Sequence, residues 1–156
     1  MKQKEIDQLV RLLRKLKEQR QPGKRLPFPV WAELAWLVTL PAVEVIISQT
    51  GKDFLLTKRN DHRWHGWHLP GGFMIAGESL EETCQRIGRW ELKIEVSLKK
   101  FIDIFVWPDH PYAQVVSLIC LCQSPQKPKA GRFFTRIPSR LFPHHEEFIK
   151  KFLKSK

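Results

Sequence analysis

The chain has 156 residues, 42% of them apolar, enough for one domain with a core of its own, and its formal net charge is +11. That charge sits at the ends: residues 1–25 carry nine basic and three acidic side chains and residues 127–156 nine and two, so the excess implies little beyond non-specific affinity for polyanions. Three irregularly spaced cysteines argue for a reducing compartment, the charged start is no secretory signal, and the apolar run 31–48 is broken by Glu33, Pro41 and Glu44, so a soluble, cytoplasmic, non-membrane protein is expected.

Residues 3–20 place Ile6, Leu9, Val10, Leu13 and Leu16 on one face among lysines and arginines, which predicts an amphipathic helix ending before Pro22 and Gly23. Its bland use is packing, on the domain or on a second copy in a homodimer. Residues 1–26 then form a basic extension and linker, and 27–156 the globular domain. Val30–Leu40 reads as a short helix that Pro41 ends. Val43–Ser48 and Phe54–Arg59 are β-rich runs joined by a polar turn. In the loop that follows, His62, His65 and His68 recur every third residue, but no cysteine or carboxylate cluster accompanies them, so they are not read as a metal site.

Trp67 to Ile94 organises the rest. A short strand (Trp67, His68, Leu69) breaks at Pro70-Gly71-Gly72, and an apolar-periodic segment runs on to Lys93. Ser79 followed by Glu82 is a capping box, which starts the helix. Adjacent glycines let a backbone approach a phosphate, and carbonyls at a strand end can coordinate a hard cation. Glu91 shares a helical face with Cys84 and Ile87, the only acid on the last two turns to do so, and would complete such a site.

Gly72, Glu78, Arg86 and Glu91, separated by five, seven and four residues, resemble the Nudix box, which spans 72–94 here. The resemblance implies a Nudix α/β/α sandwich around a central mixed sheet, and a hydrolase using Mg²⁺ or Mn²⁺. The box is reduced: Ile87 and Trp90 stand where the pattern has acids, and Lys93 where it has a late glycine. The run Arg86-Ile87-Gly88-Arg89-Trp90-Glu91-Leu92 is similar to that of the GDP-mannose mannosyl hydrolases. That likeness implies Glu91 and the Gly71 carbonyl as metal ligands, Arg59 and Arg86 facing a diphosphate, and a nucleotide sugar as substrate. Within the family Glu78 and Arg86 form an ion pair that fixes the loop. Two features of that branch are missing: Phe73 stands where it has an arginine, and its histidine base falls near Lys127 and Pro128.

Arg63, Trp64 and His68 flank the box and would contact phosphate, sugar or base; the tryptophan either stacks on a ligand or covers the sheet. Downstream, 94–107 and 113–123 are β-rich, and the turn between them carries Asp109 and His110, which either overhang the site or form a solvated hairpin tip. Cys120 and Cys122 read as small buried side chains on one strand face. Arg132–Ile137 reads as the last strand. The tail from Pro143 reads as a helix docked on the sheet, with His144 and His145 on its surface. Two functions fit: hydrolysis of a nucleoside diphosphate linked to another group, or a fold that keeps the pocket and binds a nucleotide or RNA without turnover.

Overall fold

The computed structural model describes residues 1–155 apart from Arg20, Pro22, Gly23, His62, Arg63 and Tyr112. Helices α1 (Gln3–Gln19) and α2 (Phe28–Leu37) precede strands β1 (Leu40–Ile47), β2 (Phe54–Asn60), β3 (His65–His68) and β4 (Gly71–Phe73). Helix α3 (Leu80–Ile87) continues into a π-helical turn (Gly88–Leu92), followed by β5 (Ser97–Val106), β6 (Val115–Gln123), β7 (Arg132–Phe134) and α4 (His145–Lys154).

A four-stranded mixed sheet has the order β4-β1-β6-β5, with β1 and β6 parallel, and a three-stranded antiparallel sheet, β3-β2-β7, stands beside it. The chain turns from the first into the second at Asp53, whose Oδ1 accepts from the Ser48 and Thr50 hydroxyls and from the Gln49 and Thr50 N–H groups. Alternation along the strands builds a core on each face of the larger sheet. Ala42, Ile46, Val115 and Ile119 pack with Phe148, Ile149 and Phe152 of α4; Val43, Val45, Cys120 and Cys122 pack with Cys84 and Ile87 of α3. The result is the layered α/β arrangement expected from the sequence.

Several elements differ from expectation: the short helix spans Phe28–Leu37 where 30–40 is expected, Gly71–Phe73 pairs with β1 as a strand where a break is expected, and the last strand stops at Phe134. Of the two uses expected for α1, packing on the domain is not found among the described residues. The apolar stripe of α1 is not covered by the domain: Ile6, Leu9, Val10 and Leu13 remain 38–45% exposed and the helix buries no residue. The box helix is not α-helical throughout. Ser79 and Glu82 form the reciprocal capping box, but after Ile87 the chain widens to a π-turn that Lys93 closes in the left-handed region, φ 57°. Lys93 occupies the slot of the family's late glycine, so a side chain is held here in a conformation that glycine adopts without steric cost.

Candidate active site

The site forms where β4, β2, β3 and the π-turn meet. In the antiparallel β1–β4 pair, Val45 donates to Pro70 O and Met74 to Pro41 O, so Glu44 and Gly71 face each other as a non-hydrogen-bonded pair. Both backbone polar groups of Gly71 therefore point away from β1. Its N–H donates to Glu91 Oε1 at 3.3 Å, and Thr57 Oγ1 donates to Glu91 Oε2 at 3.3 Å. The Glu91 side chain keeps 25% of its surface exposed, and its pKa is pushed up to about 7, because burial outweighs the Gly71 and Thr57 hydrogen bonds and the charge of Arg59. The neighbouring indole does not block it, since Trp90 packs under Arg25 instead.

His68, the cross-strand partner of Thr57, lies with Nε2 2.9 Å from Thr57 Oγ1 and 3.9 Å from Glu91 Oε2. Burial, helped by Arg59, lowers its pKa to about 4, so the ring is neutral. Arg59 binds Asp61 at 2.5 Å, and its guanidinium lies 5.8 Å from the Phe142 ring. Its charge acts on Glu91, His68 and His110 together.

Glu78 and Arg86 make a two-point ion pair of 2.6 and 2.8 Å, and Arg86 Nη2 also holds Phe73 O at 2.9 Å. Glu78 further accepts from Ile75 N–H and Thr83 Oγ1, and the Arg86 hydrogen bond keeps its pKa below the usual carboxylate value. The pair thus clamps the glycine loop to the helix.

In the turn after β5, Trp107 and Ala113 are buried and His110 turns inward beside them: it packs edge-on against Trp107 at 4.7 Å and stands 6.0 Å from Phe73. Burial lowers its pKa to about 4. Asp109 is 72% exposed and is tied to His144 at 2.9 Å, away from the glycine loop. Trp64 is packed edge-on to Phe142 at 5.3 Å, with an indole N–H that is the buried side-chain donor lacking a partner among the described residues. Its packing is that of a cover on the sheet. Arg63 lies outside the described residues, as does His62. His65 pairs with Asn60, so it does not converge with His68.

His145 corrects the sequence reading. It is buried, not on the surface: its Nδ1 accepts from Leu69 N–H at 2.9 Å, which leaves the proton of the neutral ring on Nε2, 3.7 Å from Glu44 Oε2. Trp107 Nε1–H donates to Ser117 Oγ, which donates to Glu44 Oε1 at 3.3 Å. Burial drives both titratable groups toward neutrality, raising Glu44 well above and lowering His145 well below their ordinary values. Glu44 also explains Gly71: a Cβ there would strike Glu44 Oε2 and stand 2.9 Å from Val43 O. The signal for Glu44 was present, a lone acid inside the apolar strand PAVEVII; nothing in the sequence paired it with His145.

Whether these residues suit a divalent cation follows from the donor set. Glu91 and the outward edge of Gly71 offer a carboxylate and a carbonyl, and burial makes the Glu91 charge costly in a way that a bound cation would offset. Among the described residues no group of three or more His, Cys, Asp or Glu side chains is placed to hold a metal. The set therefore fits a cation shared with water and substrate phosphates, as Mg²⁺ commonly is, and not a protein-only cage.

A family model described as NUDIX domain matches residues 38–152. The chain belongs to the NUDIX domain family. Among related proteins, the ADP-ribose pyrophosphatase of Methanocaldococcus jannaschii is 27% identical over 125 residues, 74% of this chain and 73% of that protein. The low-salt glycan biosynthesis protein Agl8 of Haloferax volcanii is 26% identical over 85 residues, 54% of either chain. A solved ADP-ribose pyrophosphatase from Streptococcus suis shares the Nudix fold with a TM-score of 0.59 at 21% identity, over 76% of this chain and 92% of its own. Membership of the Nudix family supports the hydrolase class read from the sequence. Among the described residues no helix is long and apolar enough to cross a membrane.

Proposed function

We propose that the protein is a hydrolase of a nucleoside diphosphate joined to a sugar, with ADP-ribose the first substrate to test and other nucleotide sugars next. The observation that carries this is the Glu91 carboxylate set against the N–H of Gly71 at the glycine loop. The Methanocaldococcus relative supports ADP-ribose, and the reduced box supports nucleotide sugars more widely. Mg²⁺ or Mn²⁺ held by Glu91 and the Gly71 carbonyl would supply neutralisation of the departing phosphate charge. Arg59 orients the diphosphate and sets the positive field of the site. Neutral His68 fixes the Thr57 hydroxyl and thereby the Glu91 carboxylate, while Arg86 and Glu78 keep the loop in place. His110, in the wall beside Phe73 and Trp107, faces the moiety beyond the diphosphate. The uncovered stripe of α1 supports pairing with a second copy, which light scattering on the full chain would read.

The test is turnover of ADP-ribose, GDP-mannose, dinucleotides and nucleoside triphosphates with Mg²⁺ or Mn²⁺, native protein against Glu91→Gln. Activity on a diphosphate-linked sugar that falls about a hundredfold or more in the variant is the expected result. Binding without turnover is the second reading, favoured by Ile87 and Trp90 in slots the family fills with acids. Ligand-induced stabilisation with no product at any metal concentration would establish it and remove the first.

A further inference from the structure

Trp90 is 54% exposed on the π-turn, one residue before Glu91, and the guanidinium carbon of Arg25 lies over its ring at 4.1 Å from the centroid. This is a close cation–π contact, and it joins the segment after α1 to the box. The neighbourhood is electrostatically uneven. Arg86 spends Nε and Nη2 on Glu78 and on the Phe73 carbonyl, so that pair is internally matched. Arg25 feels the repulsion of Arg86 and only the already matched charge of Glu78, and burial with that repulsion lowers its pKa. Among the described residues, Arg25 thus adds a positive charge beside the ion pair that clamps the glycine loop, at a cost in desolvation and repulsion that an anion would relieve.

The residue beneath Arg25 suits this use. An acid in place of Trp90 would pair with the guanidinium and cancel it, whereas an indole holds the cation without neutralising it. A ring face holds a guanidinium without using up its N–H donors, and the fork those donors form matches phosphate oxygens. We propose that Arg25 is a substrate-binding residue, delivered by the N-terminal segment and seated on Trp90, that takes a phosphate oxygen of the diphosphate at the rim of the site. The inference rests on the diphosphate reading above and assigns the N-terminal segment a part in the site.

The experiment is calorimetric titration of the full chain with inorganic pyrophosphate, ADP-ribose and, as a phosphate-free control, adenosine, with metal chelated so that turnover does not consume the ligand. Arg25→Ala should weaken pyrophosphate and ADP-ribose on the order of tenfold, with Arg25→Lys between. Trp90→Leu should approach the Arg25→Ala value, and the double variant should lose no more than Arg25→Ala alone. Adenosine binding should not change, and the salt dependence of pyrophosphate binding should become shallower. Arg25 and Trp90 are partly desolvated by their mutual contact but keep much of their surface in water, and thermal melts monitor folding in parallel. A latch with only a structural role would lower the melting temperature and leave the affinities alone, and that result overturns the proposal. So does a wild-type protein that binds neither phosphate ligand. Arg25-dependent binding without any turnover would sink the hydrolase and spare this inference; Glu91-dependent turnover with unchanged Kd and KM in Arg25→Ala would do the reverse.

Discussion

Replacing Glu91 with glutamine should stabilise the metal-free protein at alkaline pH while abolishing activity. The folded pKa of Glu91 is about 7 against an ordinary 4.5, so folding favours its protonated form. For a group raised in this way, the stabilisation is fully present below pH 4.5 and is lost as pH climbs toward 7. The difference of pKa corresponds to about 3 kcal/mol as an upper value, reduced somewhat because a quarter of the side chain meets water. Glutamine carries no charge to desolvate and can still accept from Gly71 N–H. Urea unfolding in EDTA at pH 5, 6, 7 and 8 should show the variant gaining on the native protein between pH 5 and 7 and holding that gain above. Excess Mg²⁺ should then stabilise the native protein and not the variant. A difference that stays flat across this range, or a variant destabilised equally at pH 5 and pH 8, would refute the claim that Glu91 is a carboxylate held at a cost for a cation.

Gly71→Ala should lower stability by about 2 kcal/mol or more in urea melts, because the new Cβ meets the Glu44 carboxylate and the Val43 carbonyl together. Glu78→Gln should cost about 3 kcal/mol by leaving the half-buried Arg86 without its counter-charge, and the Glu78→Gln/Arg86→Met pair should cost less than the two single changes added. Lys93→Gly should stabilise by up to about 1 kcal/mol, since Lys93 holds φ 57° without the freedom of glycine; a lower melting temperature would contradict the strain. His68 is depressed to about 4, so its contribution is lost as pH falls through 6.5 toward 4, by up to about 1.4 kcal/mol per pH unit. In acid, His68→Gln should therefore lose stability less steeply than the native chain.

What the sequence determined by itself was local. Gly72, Glu78, Arg86 and Glu91 lie within one strand, loop and helix, so their spacing alone carries the Nudix box, and the Ser79–Glu82 capping box is complete within four residues. The alternation of β1 and β6 is equally local, because successive side chains of a strand must point to opposite faces. Tertiary structure decided which distant residues converge. Glu44 meets Ser117 only because β1 and β6 pair in parallel, and His145 reaches Leu69 across 76 residues because α4 docks on the face where Glu44 points. The π-turn, the burial of His145, the inward His110 beside an outward Asp109 and the seat of Arg25 on Trp90 share that origin. Periodicity and capping follow from the geometry of a few consecutive peptides, whereas convergence depends on strand order and helix docking, which many weak long-range contacts set together.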